Sequence, residues 1–444
     1  MLKVGDKVKC QVSGEIVTVK KKLGEGGQGI VYLVGSDNGD KALKWYNEQQ
    51  STDEQKTSII NLVMRGTPKG EAGKRFVWPI DVVTCEDNDN FGYLMNLIDK
   101  DKYAELGEVW AHIKPVPGRH EMCRISYELA NSYRELHLEG YCYRDISEGN
   151  LMFNVDTGEV LICDNDNVGI NRQSKCQVQG TWEYMAPEII MGKATPSTLT
   201  DLYSLAVLLF RLWIWHHPLH GEIEYNIRSW DIPAKKKVYG EEPIFVFDSH
   251  NMKNKLPNDP EYSTPRKLWE HCPEPLKNLF IKSFTEGLHN PDKRVTEGEW
   301  QELFLELDDC IVACSKDKAE NFWYSGIQDF RCWYCKAKID NPIRLKLKAA
   351  SGTIREMVLN KDTKVLERHI NLYGDEGKKD NVIGEIVQNP NNPSMWGLKN
   401  LTQNIWKIIK TDGTECEVVP SRSVAISLGI KIDFGTGSIG EFEK

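Results

Sequence analysis

The feature that most constrains this chain of 444 residues is a change in hydrophobic periodicity along its length. Residues 1–97 carry short apolar runs typical of β-strands, interrupted by one helical pattern from about Thr52 to Arg65. Residues 98–305 follow a helical period, and residues 341–444 return to short β-rich runs separated by turn residues. We therefore predict an α+β fold: a β-rich part, a helical part, and a small β-sandwich or barrel.

Charge and composition narrow the class of protein. The 65 acidic residues outnumber the 56 basic ones, and a net charge of −9 argues against a dedicated nucleic-acid binder. The longest apolar run, Leu202–Trp215, includes Arg211 and falls short of the roughly 20 residues that span a membrane, so we predict a buried helix. Without a secretory signal, and with too few cysteines for a disulfide scaffold, the protein is expected to be cytoplasmic.

A glycine-rich segment lies between the first two β-rich runs. It contains Gly24, Gly26, Gly27 and Gly29. Because strands flank it on both sides, the pattern disfavours a dinucleotide-binding turn, which joins a strand to a helix. It favours a hairpin whose bare backbone can lie over phosphate groups. Lys44 follows Gly29 by fifteen residues on another predicted strand, from which its ammonium group can pair with α- and β-phosphates.

Three further side chains suit phosphoryl transfer. Asp145 precedes Asn150 by five residues. In this chemistry such an Asp accepts the proton of the attacking hydroxyl, and the Asn amide oxygen binds a metal ion. The apolar strand of residues 160–163 ends at Asp164, where a carboxylate can reach a second metal position.

In this order and spacing the motifs resemble the eukaryotic-like (Hanks-type) serine/threonine protein kinases, of the type found in bacteria. The resemblance covers residues 15–305 and rests on six motifs. These are the glycine segment, Ala42-Leu43-Lys44, Tyr143–Asn150, Asp164, Gly180–Glu188, and the helix with Asp201 followed by Arg294. The family implies a bilobal fold, with a β-rich N-lobe (1–97), a helical C-lobe (98–305) and ATP bound between them.

The resemblance also implies roles for individual residues. Asp145 would be the catalytic base, Lys44 would anchor the phosphates, and Asn150 and Asp164 would hold Mg²⁺. The residues implied to contact ATP are Gly24, Gly26, Gly27, Gly29, Val31, Ala42, Lys44, Met95, Asn96, Leu97 and Met152. Glu188 and Arg294 would form a buried ion pair, and Asp201 would be a third structural residue.

Two departures from the family pattern leave alternatives open. The N-lobe helix usually carries a glutamate at a position corresponding to residues 59–63, which contain no acid here. Either Glu54 reaches Lys44, or Lys44 lacks its usual partner. The DFG motif reads Asp164-Asn165-Asp166. We assign the metal ligand to Asp164 because it directly ends the strand, whereas a rival alignment would assign it to Asp166.

Residues 306–340 form a linker marked by four cysteines, Cys310, Cys314, Cys332 and Cys335. The last two enclose two residues, the spacing of a structural zinc half-site. The segment resembles zinc ribbons that follow the catalytic domain in some bacterial kinases, with Asp317 at the second cysteine position. Cys310 could supply the fourth ligand from one helical turn earlier. The alternative is a ribbon without metal that is held by its aromatic residues.

Residues 341–444 weakly resemble forkhead-associated domains, which are β-sandwiches that read phosphothreonine. The order of the segments 383–387, 396–402, 412–413, 420–424 and 432–435 carries this resemblance. The basic and hydroxyl groups that such a reader needs are not visible, so a docking module or structural cap is the alternative. Related bacterial kinases tend to be encoded beside a metal-dependent protein phosphatase and a von Willebrand A-type protein, which the resemblance implies as partners.

We therefore predict an ATP- and Mg²⁺-dependent serine/threonine protein kinase with protein substrates. Thr181 matches the threonine typical of serine/threonine-specific members. A nucleotide-binding pseudokinase scaffold is the alternative, favoured by the missing helix glutamate and the altered DFG motif. A small-molecule kinase is disfavoured, because Gly180–Glu188 and Asp201 resemble a peptide-docking platform. Ser174 offers a phosphorylation site in the activation segment, although we favour a constitutively ordered segment.

Overall fold

The computed structural model describes residues 1–86, 88–172, 180–371, 378 and 380–444. These residues divide into two compact units, Met1–Glu302 and Leu303–Lys444. The first unit begins with a β-barrel and continues as a mainly helical part, and the second unit is rich in β-strands. This order is the one that the hydrophobic periodicity predicts.

Six antiparallel strands form the barrel: β1 (Lys7–Cys10), β2 (Ile16–Glu25), β3 (Gly29–Ser36), β4 (Gly39–Tyr46), β5 (Asp81–Cys85) and β6 (Asn88–Asn96). The strand order is β1-β2-β3-β4-β6-β5, and pairing of β5 with β1 closes the ring. Alternate residues point inwards, as strand geometry requires. Ile30, Tyr32 and Val34 of β3 are therefore buried in the barrel core.

One helix, α1 (Asp53–Arg65), accompanies the barrel. It begins at the N-cap Thr52, whose side-chain oxygen accepts a hydrogen bond from the Gln55 backbone amide at 3.1 Å. It ends at Gly66, which has a φ of 76° that a glycine adopts without strain. The helix predicted from about Thr52 to Arg65 is thus confirmed.

Ten helices follow among the described residues between Gly66 and Asp309. They are α2 (Leu106–Trp110), α3 (Arg119–Leu138), α4 (Pro187–Ile190), α5 (Thr198–Ile214), α6 (Glu222–Tyr225), α7 (Ile232–Lys236), α8 (Ser263–His271), α9 (Glu274–Phe284), α10 (Glu286–His289) and α11 (Glu297–Asp309). From Thr200 onwards every residue of α5 except Arg211 is buried, which confirms the predicted buried helix. No helix among the described residues combines the length and the hydropathy needed to cross a membrane.

Short strands between the helices position the polar loops of the first unit. They are β7 (Ala104–Glu105), β8 (Tyr141–Cys142), β9 (Leu151–Phe153), β10 (Val160–Ile162) and β11 (Gly169–Ile170). Because β9 and β10 pair antiparallel, the residue before β9 lies beside the residues after β10. The Cys163 amide accordingly donates to the Asn150 carbonyl at 2.8 Å, which places Asn150 near Asp164.

The second unit contains a short hairpin followed by two sheets. Its elements are β12 (Ile311–Ala313), β13 (Glu320–Phe322), β14 (Arg344–Lys348), β15 (Ile354–Val358), β16 (Lys364–Leu366), α12 (Glu367–Ile370), β17 (Val382–Asn389), β18 (Asn392–Asn400), β19 (Trp406–Ile409), β20 (Glu415–Val418), β21 (Ser423–Ala425), β22 (Lys431–Asp433) and β23 (Ile439–Glu443). The six-stranded sheet has the order β15-β14-β23-β22-β19-β20, and the four-stranded sheet the order β16-β17-β18-β21. One core that includes Leu398 and Trp406 draws on both sheets, as in a sandwich.

Candidate active site

One face of the barrel brings together four of the predicted nucleotide contacts. Val31 pairs with Lys44, and Ala42 pairs with Met95. Directly paired residues of antiparallel strands project to the same side, so these four side chains share a face. Ala42 and Met95 are buried, whereas Val31 is half-buried.

The remaining predicted nucleotide contacts lie at the barrel edge and in the helical part. Asn96 ends β6, and its amide oxygen accepts a hydrogen bond from Lys41 Nζ at 3.0 Å. Leu97 follows directly and is exposed. Met152 lies on β9 and is buried.

The glycine-rich hairpin connects β2 to β3 and serves two different packing needs. A Cβ atom on Gly29 would lie 2.1 Å from the Trp45 carbonyl oxygen, so only glycine fits there. A Cβ atom on Gly24, Gly26 or Gly27 would meet no heavy atom within 4 Å. The space beside these three glycines is therefore open, as a phosphate-covering loop requires.

Lys44 lies at the centre of a cluster of polar groups. Its Nζ is 2.6 Å from Gln28 Oε1, 3.0 Å from Asp166 Oδ2 and 3.3 Å from Asp164 Oδ1. Burial alone lowers the pKa of Lys44, but the two carboxylates outweigh burial and raise it above its usual value. Lys44 is therefore a buried cation held mainly by acids from the segment after β10.

Glu54, one of the two predicted alternatives for a Lys44 partner, is exposed. Within the part of the chain that the structure describes, the polar contacts of Lys44 are Gln28, Asp164 and Asp166. Lys44 thus has an acidic partner, but the acid comes from the altered DFG segment instead of the helix.

Asp145 and Asn150 form a second polar cluster in the loop before β9. Asp145 Oδ1 accepts hydrogen bonds from the Thr181 amide and from Thr181 Oγ1, both at 2.9 Å. The Asn150 amide nitrogen donates to the Asp145 carbonyl at 2.8 Å and to Asp145 Oδ2 at 3.2 Å. The three bonds to Oδ1 and Oδ2 fix the direction of the Asp145 carboxylate.

Two sets of contacts involve the predicted structural residues. Asp201 on α5 accepts hydrogen bonds from the Tyr143 and Arg144 amides, at 2.5 and 3.0 Å. Arg294 and Glu188 are paired through two parallel hydrogen bonds of 2.8 Å each. The structure therefore brings the predicted Glu188–Arg294 pair together.

The family model of the protein kinase domain matches residues 17–302, nearly two thirds of the chain. The chain belongs to the protein kinase domain family. Its first unit therefore has the bilobal kinase fold, with the barrel as N-lobe and the helical part as C-lobe.

Three relatives illustrate the similarity of this kinase domain to known proteins. Serine/threonine-protein kinase sck2 of Schizosaccharomyces pombe is 30% identical over 128 residues, 27% of this chain and 19% of that protein. Protein kinase gsk31 of the same yeast is 26% identical over 204 residues, 44% of this chain and 51% of that protein. Protein kinase C delta type of Rattus norvegicus is 32% identical over 152 residues, 32% of this chain and 21% of that protein. The kinase chain thus spans at most about half the length of these relatives.

We expect His137 of the kinase domain to make the free energy of unfolding depend on pH above neutrality. Burial lowers the pKa of His137, but hydrogen bonds to Asp201 and Glu297 outweigh burial and raise it from 6.5 to about 9. The protonated ring therefore adds stability that is complete below pH 6.5 and is lost as the pH rises through about 9. Denaturant titrations of the wild type and His137→Gln, from about pH 6 to pH 10, measure the difference. A difference that stays constant over this range would contradict the assignment.

A group of metal-ligand types lies in the second unit, outside the kinase domain. The donor atoms of Cys314, Asp317, Cys332 and Cys335 all lie within 4.8 Å of one another. Cys314 Sγ and Cys335 Sγ are 3.7 Å apart, and Cys332 Sγ is 3.4 Å from Asp317 Oδ2. Three of the four predicted zinc ligands are thus brought together.

Cys310, predicted as the fourth ligand, lies outside this group. Its thiol donates to the Glu356 carbonyl at 3.3 Å, and its side chain packs in a small apolar cluster with Trp323 and Phe330. Asp317 takes the fourth position because it follows Cys314 in a tight turn. The Cys314 amide donates to the Ala319 carbonyl across that turn at 2.8 Å.

Sequence reasoning missed or misplaced several residues of these sites. The pairing of Asp166 with Lys44 was not predicted, although the doubled acid in the altered DFG segment was a visible signal. Asp317 was noted only as a replaced cysteine, and no pattern in the sequence marks Gln28 as a Lys44 contact. Ser174 lies outside the described residues.

Proposed function

We propose that this protein is a serine/threonine protein kinase that transfers the γ-phosphoryl group of ATP to protein hydroxyls. The observation that carries the proposal is the convergence of Lys44, Asp164, Asp145 and Asn150 in one kinase domain, on elements that hold their side chains in place. The relative sck2 is named a serine/threonine-protein kinase, which supports the same substrate hydroxyls.

Each residue has a defined task in the proposed reaction. Asp145 accepts the proton of the substrate hydroxyl as the new oxygen–phosphorus bond forms and the bond to the ADP oxygen breaks. Asn150, through its amide oxygen, and Asp164 would hold Mg²⁺, which neutralises charge on the phosphates when bound. Lys44 would direct its ammonium group to the α- and β-phosphates. The open backbone of the glycine hairpin would cover them.

The test is a transfer assay with labelled ATP and Mg²⁺, using the full chain and a general protein acceptor. Identification of the labelled amino acids should give phosphoserine or phosphothreonine. The Lys44→Met variant should lose the label because it lacks the phosphate anchor. Tight nucleotide binding without transfer to any acceptor would support the pseudokinase scaffold instead. The missing helix glutamate favoured the pseudokinase alternative. The contacts of Lys44 with Asp164 and Asp166 weaken that alternative, because they give the lysine an acidic partner.

We also propose that the second unit holds a structural zinc ion through Cys314, Asp317, Cys332 and Cys335. The donor set fits, because zinc binds thiolates at about 2.3 Å, and a tetrahedral site then separates two sulfurs by about 3.8 Å. The 3.7 Å between Cys314 and Cys335 matches this spacing. The CxxD and CxxC turns have the same backbone hydrogen bond: the Lys318 amide donates to the Cys314 carbonyl, and the Lys336 amide donates to the Cys332 carbonyl. Two equivalent turns facing one another are the arrangement of a zinc ribbon.

Metal analysis of the purified chain tests the zinc proposal. We expect about one zinc per chain, which should be lost in Cys332→Ser because three donors remain. Asp317→Asn should retain zinc with weaker affinity, because a neutral amide replaces a carboxylate. Cys310→Ser is the matched control and should keep the wild-type zinc content. Loss of zinc in Cys310→Ser, with wild-type zinc affinity in Asp317→Asn, would return the fourth ligand to Cys310.

The finer assignments of the chain are proposals as well. We propose domains at 1–97, 98–305, 306–340 and 341–444, the last forkhead-associated-like. The six-stranded and four-stranded sheets around one core support a sandwich there. The bacterial type and the phosphatase and von Willebrand A-type partners rest on the family resemblance alone, and the cytoplasmic location rests on the sequence features described above. The relatives described above are eukaryotic.

A further inference from the structure

The acid that holds Lys44 most firmly is Asp166, the last residue of the altered DFG segment. The Asp166 side chain is fully buried, whereas the Asp164 side chain is 40% exposed. Both Asp166 oxygens lie within hydrogen-bond distance of Lys44 Nζ, at 3.0 and 3.3 Å. The two acids therefore present Lys44 with one enclosed contact and one that faces solvent.

Neighbouring groups hold the Asp166 carboxylate in this position. The Tyr46 hydroxyl, at the end of β4, donates a hydrogen bond to Asp166 Oδ2. The side-chain amide Nε2 of Gln55, on α1, donates in turn to the Tyr46 hydroxyl oxygen at 3.1 Å. Helix α1 is thus connected to the Lys44 cluster through neutral polar groups, and the negative charge comes from Asp166.

We infer that Asp166 is the positioning residue of Lys44 and replaces the acid that other kinases carry on the N-lobe helix. This inference rests on the proposed function, since it assigns how Lys44 is held for nucleotide. Asp164 is the solvent-facing acid, able to turn towards a metal ion, while the enclosed Asp166 remains on Lys44. The lysine is therefore oriented by the C-lobe segment after β10, independently of any charge on α1.

A positioning role for Asp166 predicts a different binding result from the rival role of metal ligand. A positioning residue acts through Lys44, so its loss weakens nucleotide binding even when Mg²⁺ is saturating. Loss of a metal ligand instead raises the Mg²⁺ concentration needed for nucleotide binding. Equilibrium binding of a fluorescent ATP analogue, titrated with Mg²⁺, distinguishes the two without relying on phosphoryl transfer.

We expect Asp166→Asn to raise the Kd for the Mg²⁺-bound analogue roughly 10-fold and to leave the half-saturating Mg²⁺ concentration unchanged. The matched Asp164→Asn variant should raise the half-saturating Mg²⁺ concentration and leave the Kd at saturating Mg²⁺ nearly unchanged. Tyr46→Phe, which removes one bond to Asp166 and no charge, should raise the Kd about 2-fold to 3-fold in the same direction as Asp166→Asn. An increase in the Mg²⁺ requirement of Asp166→Asn, equal to that of Asp164→Asn, would overturn the inference.

A double-mutant cycle tests whether Asp166 acts through Lys44. In a Lys44→Met background, Asp166→Asn should change the Kd by less than about 2-fold, because the group that it positions is gone. Additive effects of the two substitutions would overturn the inference. If the wild type binds nucleotide but transfers no phosphate, the proposed function fails while the cycle still decides the role of Asp166. Should Asp166→Asn unfold, which a thermal melt reveals, Tyr46→Phe in both backgrounds provides the same cycle.

Discussion

Asp145→Asn is expected to lower the rate of phosphoryl transfer about 1,000-fold, within the range that general base catalysis supplies. Asn has the shape of Asp, and its side-chain oxygen can still accept the hydrogen bonds from Thr181. It cannot accept the proton of the attacking hydroxyl. The affinity for ATP should stay within about 2-fold, because Asp145 lies on the substrate side of the transferred group.

Initial rates with labelled ATP and a protein acceptor, together with nucleotide binding, measure these two effects separately. Asp156→Asn is a matched control, since Asp156 is an exposed acid in the turn between β9 and β10. It undergoes the same chemical change and should keep the wild-type rate. If Asp145→Asn retained more than about a tenth of the wild-type rate, the base would have to be another group.

The second large effect is expected from Glu188→Ala, which should lower the free energy of unfolding by about 3 to 5 kcal/mol. The Arg294 side chain is only 2% exposed, so without Glu188 its charge is left buried. Its remaining acceptors include the Gly287 and Leu199 carbonyls, which carry no full negative charge. The loss is therefore dominated by an uncompensated cation.

Denaturant unfolding of both single variants and the double variant apportions this effect. Arg294→Met should cost less than Glu188→Ala, because Glu188 is 19% exposed and can be hydrated. The double variant should lose less unfolding free energy than the two single variants together. The reason is that each charged side chain destabilises the fold mainly when its partner is missing. The exposed pair Glu71–Lys74 serves as control, and breaking it should cost less than about 1 kcal/mol. Equal costs for the buried and exposed pairs would contradict the argument.

Sequence patterns predicted the long elements and the ordered motifs well, for physical reasons. Residues 202–215 are too apolar for the surface and too few to span a membrane, so they predicted a buried helix. Glu188 and Arg294 are far apart in sequence, and only the family resemblance implied that they pair. The strand β1, by contrast, was not singled out, because its polar–apolar alternation extends over only four residues.

The details of the polar clusters could not be derived from sequence. Which of the two acids contacts Lys44 from a buried position depends on the turn at Asp164, where φ is 50° and the chain takes a left-handed conformation. That turn sends Asp164 and Asp166 to different environments although they are two residues apart. In the same way, helical spacing suggested Cys310 as a zinc ligand, but the chain leaves the helix α11 before that residue and its thiol packs elsewhere.

The closure of the N-lobe barrel has a consequence for association with other chains. A strand at the edge of an open sheet offers unpaired backbone groups to which a foreign strand can add, whereas a closed ring has no such edge. In the second unit, β15 and β20 end one sheet, and β16 and β21 end the other. Exposed Glu415 and Glu417 on β20 discourage addition there by charge repulsion and solvation. Strand-mediated self-association of this protein, where it occurs, should therefore involve the edges of the C-terminal sheets and not the barrel.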